Sequence, residues 1–163
     1  MNAETGTETT KWNQIMQDAP VVTKVTRISA PVEHVWRVLI AFNEYAHWHP
    51  ALSLDAKLEQ VVVGAKLPGR VSAVGTAEQE VVMTMIVVEA PGRLVWEGGS
   101  PDALLGRHSL VLTAQPDGTT ELTESEVFSG PAAPDLIPEL DRLTQNYARY
   151  GAALKTRAES QPD

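Results

Sequence analysis

ISAPVEHVWRVLIAFNEYAHWHP, residues 28–50, is the stretch of this chain that says most about its fold. It predicts the end of a first strand, a helix that starts at Pro31, and a second short helix opened by Asn43. Proline suits a first helical turn, because its missing N–H has no helical partner there and its φ is already fixed. Glu33 would stabilise the same turn beside unpaired N–H groups at the positive end of the helix dipole. We therefore expect two short helices directly after a strand.

A long β region follows these helices, from about residue 53 to residue 128. Residues 21–29, before the helices, alternate well enough for the first strand. Short apolar runs separated by glycine and proline are typical of an antiparallel meander. The turns fall at Gly64, Pro68-Gly69, Gly75, Pro91-Gly92, Gly98-Gly99 and Asp117-Gly118. Residues 81–88 are apolar at nearly every position, which predicts a strand that is covered on both faces.

The chain ends in a predicted helix over residues 135–158. Apolar side chains recur there in steps of four and three, which is the spacing of one continuous helical face. They are Leu136, Leu140, Leu143, Tyr147, Tyr150 or Gly151, and Leu154. The sheet is the large surface that can bury this face. We therefore predict an α+β fold in which a seven-stranded antiparallel sheet wraps around a long C-terminal helix.

Length and composition favour one domain. The chain has 163 residues, of which 43% are hydrophobic, and a chain of this size buries roughly two-thirds of its unfolded surface. We place the domain at residues 21–160 and treat residues 1–20 as a flexible extension. Trp12, Ile15 and Met16 are spaced as in a short helix at 11–18.

Charge and residue types exclude several classes of function. The sequence contains no cysteine, which excludes disulfides and thiolate chemistry. A net charge of -8 argues against nucleic acid and anionic membranes, because both require a basic face. No signal peptide or membrane-spanning run is recognisable, so we expect no membrane insertion and a cytoplasmic location.

Three later motifs follow the opening stretch in order: LVWEG at 94–98, GRHSLVL at 106–112 and TESEVFSG at 123–130. Together with residues 28–50 they resemble the SRPBCC superfamily, also called START-like or helix-grip proteins, and in particular its polyketide cyclase/dehydrase-like branch. The resemblance extends over roughly residues 21–160. It implies a helix-grip fold built around a hollow that takes a small hydrophobic molecule.

The sequence departs from this branch at two positions. His49 stands where the branch usually carries Asn, and Val127 stands where Arg is common. Any role that relatives give to these two positions is therefore not carried over.

His108 is the first candidate for chemistry. It shares a strand face with Leu110 and Leu112, so it should point into the interior. A three-residue turn around Gly118, with the glycine in the left-handed region, would place His108 opposite Glu126. A two-residue turn would place it opposite Val127 instead. We prefer the first register, because it keeps the apolar side chains of both strands on one face.

An imidazole that faces a carboxylate in a partly dry cavity can act as a general acid/base pair. We therefore take His108 and Glu126 as candidate catalytic residues for an aldol cyclisation or dehydration. The alternative is that the two groups only satisfy each other and line the pocket. Glu124, on the same face, is a weaker candidate, with a place at the solvent-open rim as the alternative. The predicted ligand-binding residues are Trp48, Trp96, Leu110, Leu112, Glu124, Phe128, Leu143 and Tyr147.

No metal or cofactor is expected. His47 and His49 lack the further ligands that a zinc site needs, so we interpret them as histidines in a loop at the cavity rim. His34 is interpreted as a surface residue.

Three functions remain open from the sequence: a cyclase or dehydratase, a non-catalytic carrier or sensor, and an interaction module that activates a chaperone ATPase. The first two require the same pocket, whereas the third requires a filled interior and an exposed apolar patch. The expected partner is a small hydrophobic molecule, and the protein is expected to be a monomer or a homodimer.

Overall fold

The computed structural model of the chain describes residues 19–72 and 77–161. The predicted helix at 11–18 lies outside the described residues. Within them the sheet has seven strands: β1 (Val21–Ile28), β2 (Leu52–Leu54), β3 (Lys66–Val71), β4 (Gln79–Glu89), β5 (Arg93–Gly99), β6 (Leu105–Ala114) and β7 (Thr120–Ser129). Neighbouring strands are antiparallel, in the order β1-β7-β6-β5-β4-β3-β2.

Two short helices follow β1, as the sequence predicts. Helix α1 covers Val32–Ile40, a single 3₁₀ turn covers Phe42–Glu44, and helix α2 covers Tyr45–Trp48. Pro31 is the N-cap of α1 rather than its first helical residue, and its carbonyl accepts the first helical hydrogen bond from the Val35 N–H at 3.0 Å.

The long C-terminal helix, α3, covers Leu140–Ser160 and packs mainly on β1. It starts later than predicted, because Ala133–Glu139 forms a 3₁₀ helix that contains Pro138. Gly151 lies where α3 is closest to β1, and a Cβ at this position would overlap Thr26 Oγ1. The absence of a side chain at Gly151 therefore lets the helix approach the sheet. No helix in the described part of the chain is long and apolar enough to cross a membrane.

The hairpin between β6 and β7 has the predicted register. Gly118 has a φ of 83°, in the left-handed region that glycine adopts without strain, and its N–H donates to the Gln115 carbonyl at 3.0 Å. His108 lies opposite Glu126, and Leu112 lies opposite Leu122. The prediction of a three-residue turn is confirmed.

Two expectations about burial are wrong. Strand β4 is not covered on both faces: Met83 and Met85 are buried, whereas Val82 is 53% exposed. Alternate side chains of a strand point to opposite faces, and α3 packs on only one face of the sheet. His34 is not a surface residue, because α1 packs against the end of α3, where the imidazole Nε2–H donates to the Ala158 carbonyl at 2.8 Å.

Candidate functional site

A cavity of about 270 Å³ lies between the sheet and α3. Most of its wall is apolar, from Trp96 and Phe128 on the strands to Leu143 and Tyr147 on the helix. A smaller cavity of about 20 Å³ adjoins it. The two cavities share four aromatic or imidazole side chains, which are His49, Trp96, His108 and Tyr150.

The structure brings nine of the ten sequence-predicted site residues to these two cavities. The larger cavity is lined by Trp96, His108, Glu126, Phe128, Leu143 and Tyr147. The smaller cavity is lined by Trp48, Leu110 and Glu124, together with His108 and Trp96. The tenth residue, Leu112, lines neither cavity and is a core residue with 5% exposure, because its position on β6 lies too far along the strand.

His108 is hydrogen-bonded to Glu124, not to the directly opposite Glu126. The distance between His108 Nε2 and Glu124 Oε1 is 2.8 Å. Diagonal neighbours on one sheet face are within reach of long side chains, and Glu124 is the diagonal neighbour two residues from Glu126. The alternative that Glu124 lies at a solvent-open rim is excluded, since the residue is 3% exposed.

The surroundings of His108 favour its charged form. Burial alone would lower its pKa, but the hydrogen bond to Glu124 and the charges of Glu124 and Glu126 outweigh burial and raise the pKa above its usual value. The imidazole also lies beside two aromatic rings, with centroid distances of 4.6 Å to Trp96 and 5.2 Å to Tyr147.

Glu126 is the carboxyl group that faces the larger cavity. It makes no hydrogen bond with the described residues, and its Oε1 occupies the space that a Cβ would take at Gly106. Burial, helped by the charge of Glu124 and opposed by that of His108, raises the pKa of Glu126. The site therefore combines a paired imidazole with an unpaired carboxyl group of raised pKa.

His49 belongs to this site although the sequence placed it at the rim of the cavity. Its Nδ1 accepts hydrogen bonds from the backbone N–H groups of Ala51, at 3.1 Å, and Leu52, at 2.9 Å. The ring stacks on Tyr45 with a centroid distance of 5.3 Å and lies 4.8 Å from the ring of Tyr150. Burial and the charge of His108 lower the pKa of His49 to about 3. The imidazole is therefore neutral, with its proton on Nε2.

Sequence reasoning missed Asn146 and treated Tyr150 only as part of the apolar stripe. Asn146 is 3% exposed and lines the larger cavity, yet its Nδ2 has no hydrogen-bond partner among the described residues. Tyr150 is half-buried in the same wall, and burial followed by the charges of Glu124 and Glu126 raises its pKa. The spacing offered a clue, because Asn146 lies three residues after Leu143 and four before Tyr150, on the face that the stripe defines.

One further buried donor, Trp48 Nε1, also lacks a hydrogen-bond partner among the described residues, and nothing in the structure explains it. Across residues 19–72 and 77–161, no group of three or more His, Asp or Glu side chains is placed to hold a metal ion.

A curled antiparallel sheet that grips a C-terminal helix, with a mainly apolar cavity between them, defines a helix-grip protein with a fold that binds hydrophobic ligands. The sequence profile of the family described as "Polyketide cyclase / dehydrase and lipid transport" matches residues 19–159. The chain belongs to this family. A search of the curated proteins gives no match.

Solved structures share the fold at low sequence identity. Protein MLL2253 from Mesorhizobium loti is 21% identical with a TM-score of 0.67, and the match covers 88% of this chain and 100% of that one. DynU16, a putative protein in the dynemicin biosynthetic locus, is 21% identical with a TM-score of 0.65, over 86% of this chain and 47% of that one.

A third similar structure is the di-domain ARO/CYC BexL from the BE-7585A biosynthetic pathway. It is 15% identical with a TM-score of 0.68, over 98% of this chain and 60% of that one. The chain therefore spans about half of the DynU16 chain and three-fifths of the BexL chain. At sequence identities of 15–21%, the similarity to these structures establishes the fold alone.

Proposed function

We propose that this protein binds a polyketide-like or aromatic molecule in the 270 Å³ cavity and catalyses an acid/base ring closure or dehydration there. The observation that carries the proposal is the arrangement at the floor of the cavity. A buried His108–Glu124 pair, 2.8 Å apart, adjoins the unpaired carboxyl group of Glu126. The family and the similar ARO/CYC structure support the same reading.

Each group has a role that its environment favours. A carboxylate with a raised pKa is a stronger base near neutral pH, so Glu126 takes a proton from the carbon next to a ligand carbonyl. The C–H electron pair moves into the enolate as Glu126 becomes neutral, so the His108 imidazolium, already paired with Glu124, has one negative charge beside it in place of another. In a ring closure the enolate carbon then bonds to a second carbonyl carbon, and the new alkoxide recovers the proton from Glu126.

A non-catalytic carrier is the second candidate, and one observation favours it. His108 and Glu124 already satisfy each other at 2.8 Å, and buried polar pairs of this kind are commonly structural. A carrier would need the same apolar walls, with Glu126 only orienting the ligand.

Proton exchange on a probe ketone separates the two candidates. We would incubate 2-tetralone, a bicyclic ketone, with the protein in deuterated buffer and follow loss of its α-proton signals by NMR. Enzyme-type chemistry predicts exchange well above the buffer rate, and loss of most of this acceleration in Glu126→Gln and His108→Gln. The matched control is Glu121→Gln, the same chemical change on β7 but on the opposite face of the strand. It should exchange like the wild type.

The possible outcomes are distinct. If 2-tetralone binds but exchanges at the buffer rate, or if Glu126→Gln exchanges as fast as the Glu121→Gln control, the catalytic proposal is wrong and the carrier remains. If the ketone does not bind at all, both candidates fail.

A further inference from the structure

Two hydrogen-bond donors on the wall of the cavity that α2, β2 and α3 provide have no partner among the described residues. One is the Asn146 side-chain amide, 97% buried and in contact with the cavity. The other is His49 Nε2–H, on a partly exposed ring that lines the same cavity. For the buried Asn146 amide, the missing partner costs about 1–3 kcal/mol. Such groups in native proteins call for an explanation, and a ligand is one.

The tautomer of His49 follows from its backbone contacts. Nδ1 accepts from two N–H groups, at 3.1 Å from Ala51 and 2.9 Å from Leu52. A nitrogen that accepts cannot carry the proton, so the proton of the neutral ring is on Nε2. The second nitrogen is therefore a donor, on a ring that lines the same cavity as Asn146.

The two donors lie on one wall. Asn146 and Tyr150 are four residues apart, and side chains at this spacing are neighbours on a helix. The Tyr150 ring in turn lies 4.8 Å from the His49 ring. His108 and Glu126 lie on the sheet instead, on strands β6 and β7. A ligand in the cavity therefore meets hydrogen-bond donors on one side and acid/base groups on the other.

The charges in the cavity favour an uncharged oxygen over a carboxylate. Among the described residues that line the cavity, none is Lys or Arg, and the His108 imidazole already pairs with Glu124. Glu126 adds a second carboxyl group to the same space. A ligand carboxylate would be desolvated next to these acids without a free cation, which is unfavourable.

We propose that Asn146 and His49 together bind an uncharged acceptor oxygen of the ligand, so that the cavity selects neutral ketones or esters over hydrocarbons and carboxylates of the same shape. This inference rests on the proposed use of the cavity for ligand binding. It adds the residues that recognise the ligand, and the charge of the ligand, neither of which follows from an apolar pocket.

Three 2-substituted naphthalenes of similar size test it: 2-acetylnaphthalene with a neutral acceptor, 2-ethylnaphthalene without one, and 2-naphthoate with a charge. Their dissociation constants would be measured by ¹⁵N-HSQC titration near pH 7. Two added hydrogen bonds predict that the wild type binds the ketone roughly five- to tenfold more tightly than the ethyl compound. The naphthoate should bind at least about tenfold more weakly than the ketone.

Two variants remove the donors. Asn146→Leu keeps the side-chain size and should reduce the ketone preference to within about twofold, while 2-ethylnaphthalene binds as well as before. His49→Asn keeps an acceptor for the backbone N–H groups of Ala51 and Leu52 but withdraws the donor from the cavity, so it should reduce the preference in part. The control is Asn43→Leu at an exposed position, which should retain the wild-type preference.

A direct readout comes from the side-chain amide of Asn146. Its NH₂ cross-peaks are identified by their loss in Asn146→Leu, and they should shift with the ketone but not with the ethyl compound. An equal preference for the ketone in wild type and Asn146→Leu, or naphthoate binding as tightly as the ketone, would overturn the inference while leaving ligand binding intact. If none of the three compounds binds, the inference and the proposed function fall together.

Discussion

The interior of the protein has two ends, and a tyrosine at each end shows how they differ. At the closed end, around Phe42 and Leu39, Tyr45 is 1% exposed and its hydroxyl donates to the Leu39 carbonyl at 2.6 Å. At the open end, around Asn146 and Phe128, the hydroxyl of Tyr150 makes no hydrogen bond with the described residues. The ring of His49 lies between the two tyrosines and marks the boundary.

At the closed end Trp48 Nε1, beside Tyr45, has no partner among the described residues, but the other buried polar groups there do. Thr120 Oγ1, for example, is fully buried and donates to the Ala30 carbonyl at 2.8 Å. At the open end the buried Asn146 amide and the partly exposed His49 Nε2–H and Glu126 carboxyl group are left unpaired on the cavity wall within the described part of the chain. An unpaired buried group lowers stability, so the Asn146 amide lowers the stability of the open end.

Truncating one phenylalanine at each end should give the largest difference in stability between the two ends. Phe42 is fully buried and packs edge-on against Tyr45, at a centroid distance of 5.1 Å, and Trp96, at 6.0 Å. Phe42→Ala should therefore lower the free energy of unfolding by about 3–5 kcal/mol. Phe128 already borders the cavity, so Phe128→Ala should cost about half as much, because fewer contacts are lost. Urea denaturation of both variants measures the difference, and equal losses would contradict the division into two ends.

His49, the boundary residue, should make the free energy of unfolding depend on pH. The pKa of His49 is about 3 in the folded protein against 6.5 for an ordinary histidine, so the unfolded chain takes up the proton first as the pH falls. The stability that the neutral ring contributes is present above pH 6.5 and is lost below it, by up to about 1.4 kcal/mol per pH unit.

Unfolding measurements from pH 7 down to pH 4 check this expectation. The free energy of unfolding of His49→Asn should fall less steeply with decreasing pH than that of the wild type, whatever its stability at neutral pH. Asn43→Leu, at an exposed position without a titratable group, should keep the wild-type slope. Parallel curves for all three proteins would show that His49 is charged or solvated in the folded state.

The smallest effect should be a gain in stability at the open end. Asn146→Leu replaces an unpaired buried amide by an apolar group of similar size, which should raise the free energy of unfolding by about 1 kcal/mol. For a domain of this length that corresponds to a rise in melting temperature of about 2–4 °C. Asn43→Leu, at an exposed position, should change stability by less than about 0.5 kcal/mol. A lower melting temperature for Asn146→Leu would mean that the amide has a structural partner.

The prediction from sequence succeeded where local rules act. The period-two pattern of β6 and β7 and the turn at Gly118 were sufficient to place His108 opposite Glu126 in the strand register, because the turn fixes the register of a hairpin. It placed Glu124 among the ligand-binding residues but did not identify it as the partner of His108, because the reach of a diagonal carboxylate depends on what fills the space around it. It failed for His34 because nothing local to α1 shows that the end of α3 covers it.

The sequence by itself determined the order of elements, the register of the last hairpin and the face to which His108 points, since turn chemistry and side-chain periodicity depend on near neighbours in the chain. Only the tertiary structure decided that Glu124 is the partner of His108, that Glu126 remains unpaired, and that His49 and Asn146 line one wall. These residues come from β6, β7, α3 and the segment between α2 and β2. Their contacts depend on how closely the helix approaches the sheet, which is set by packing across the whole core.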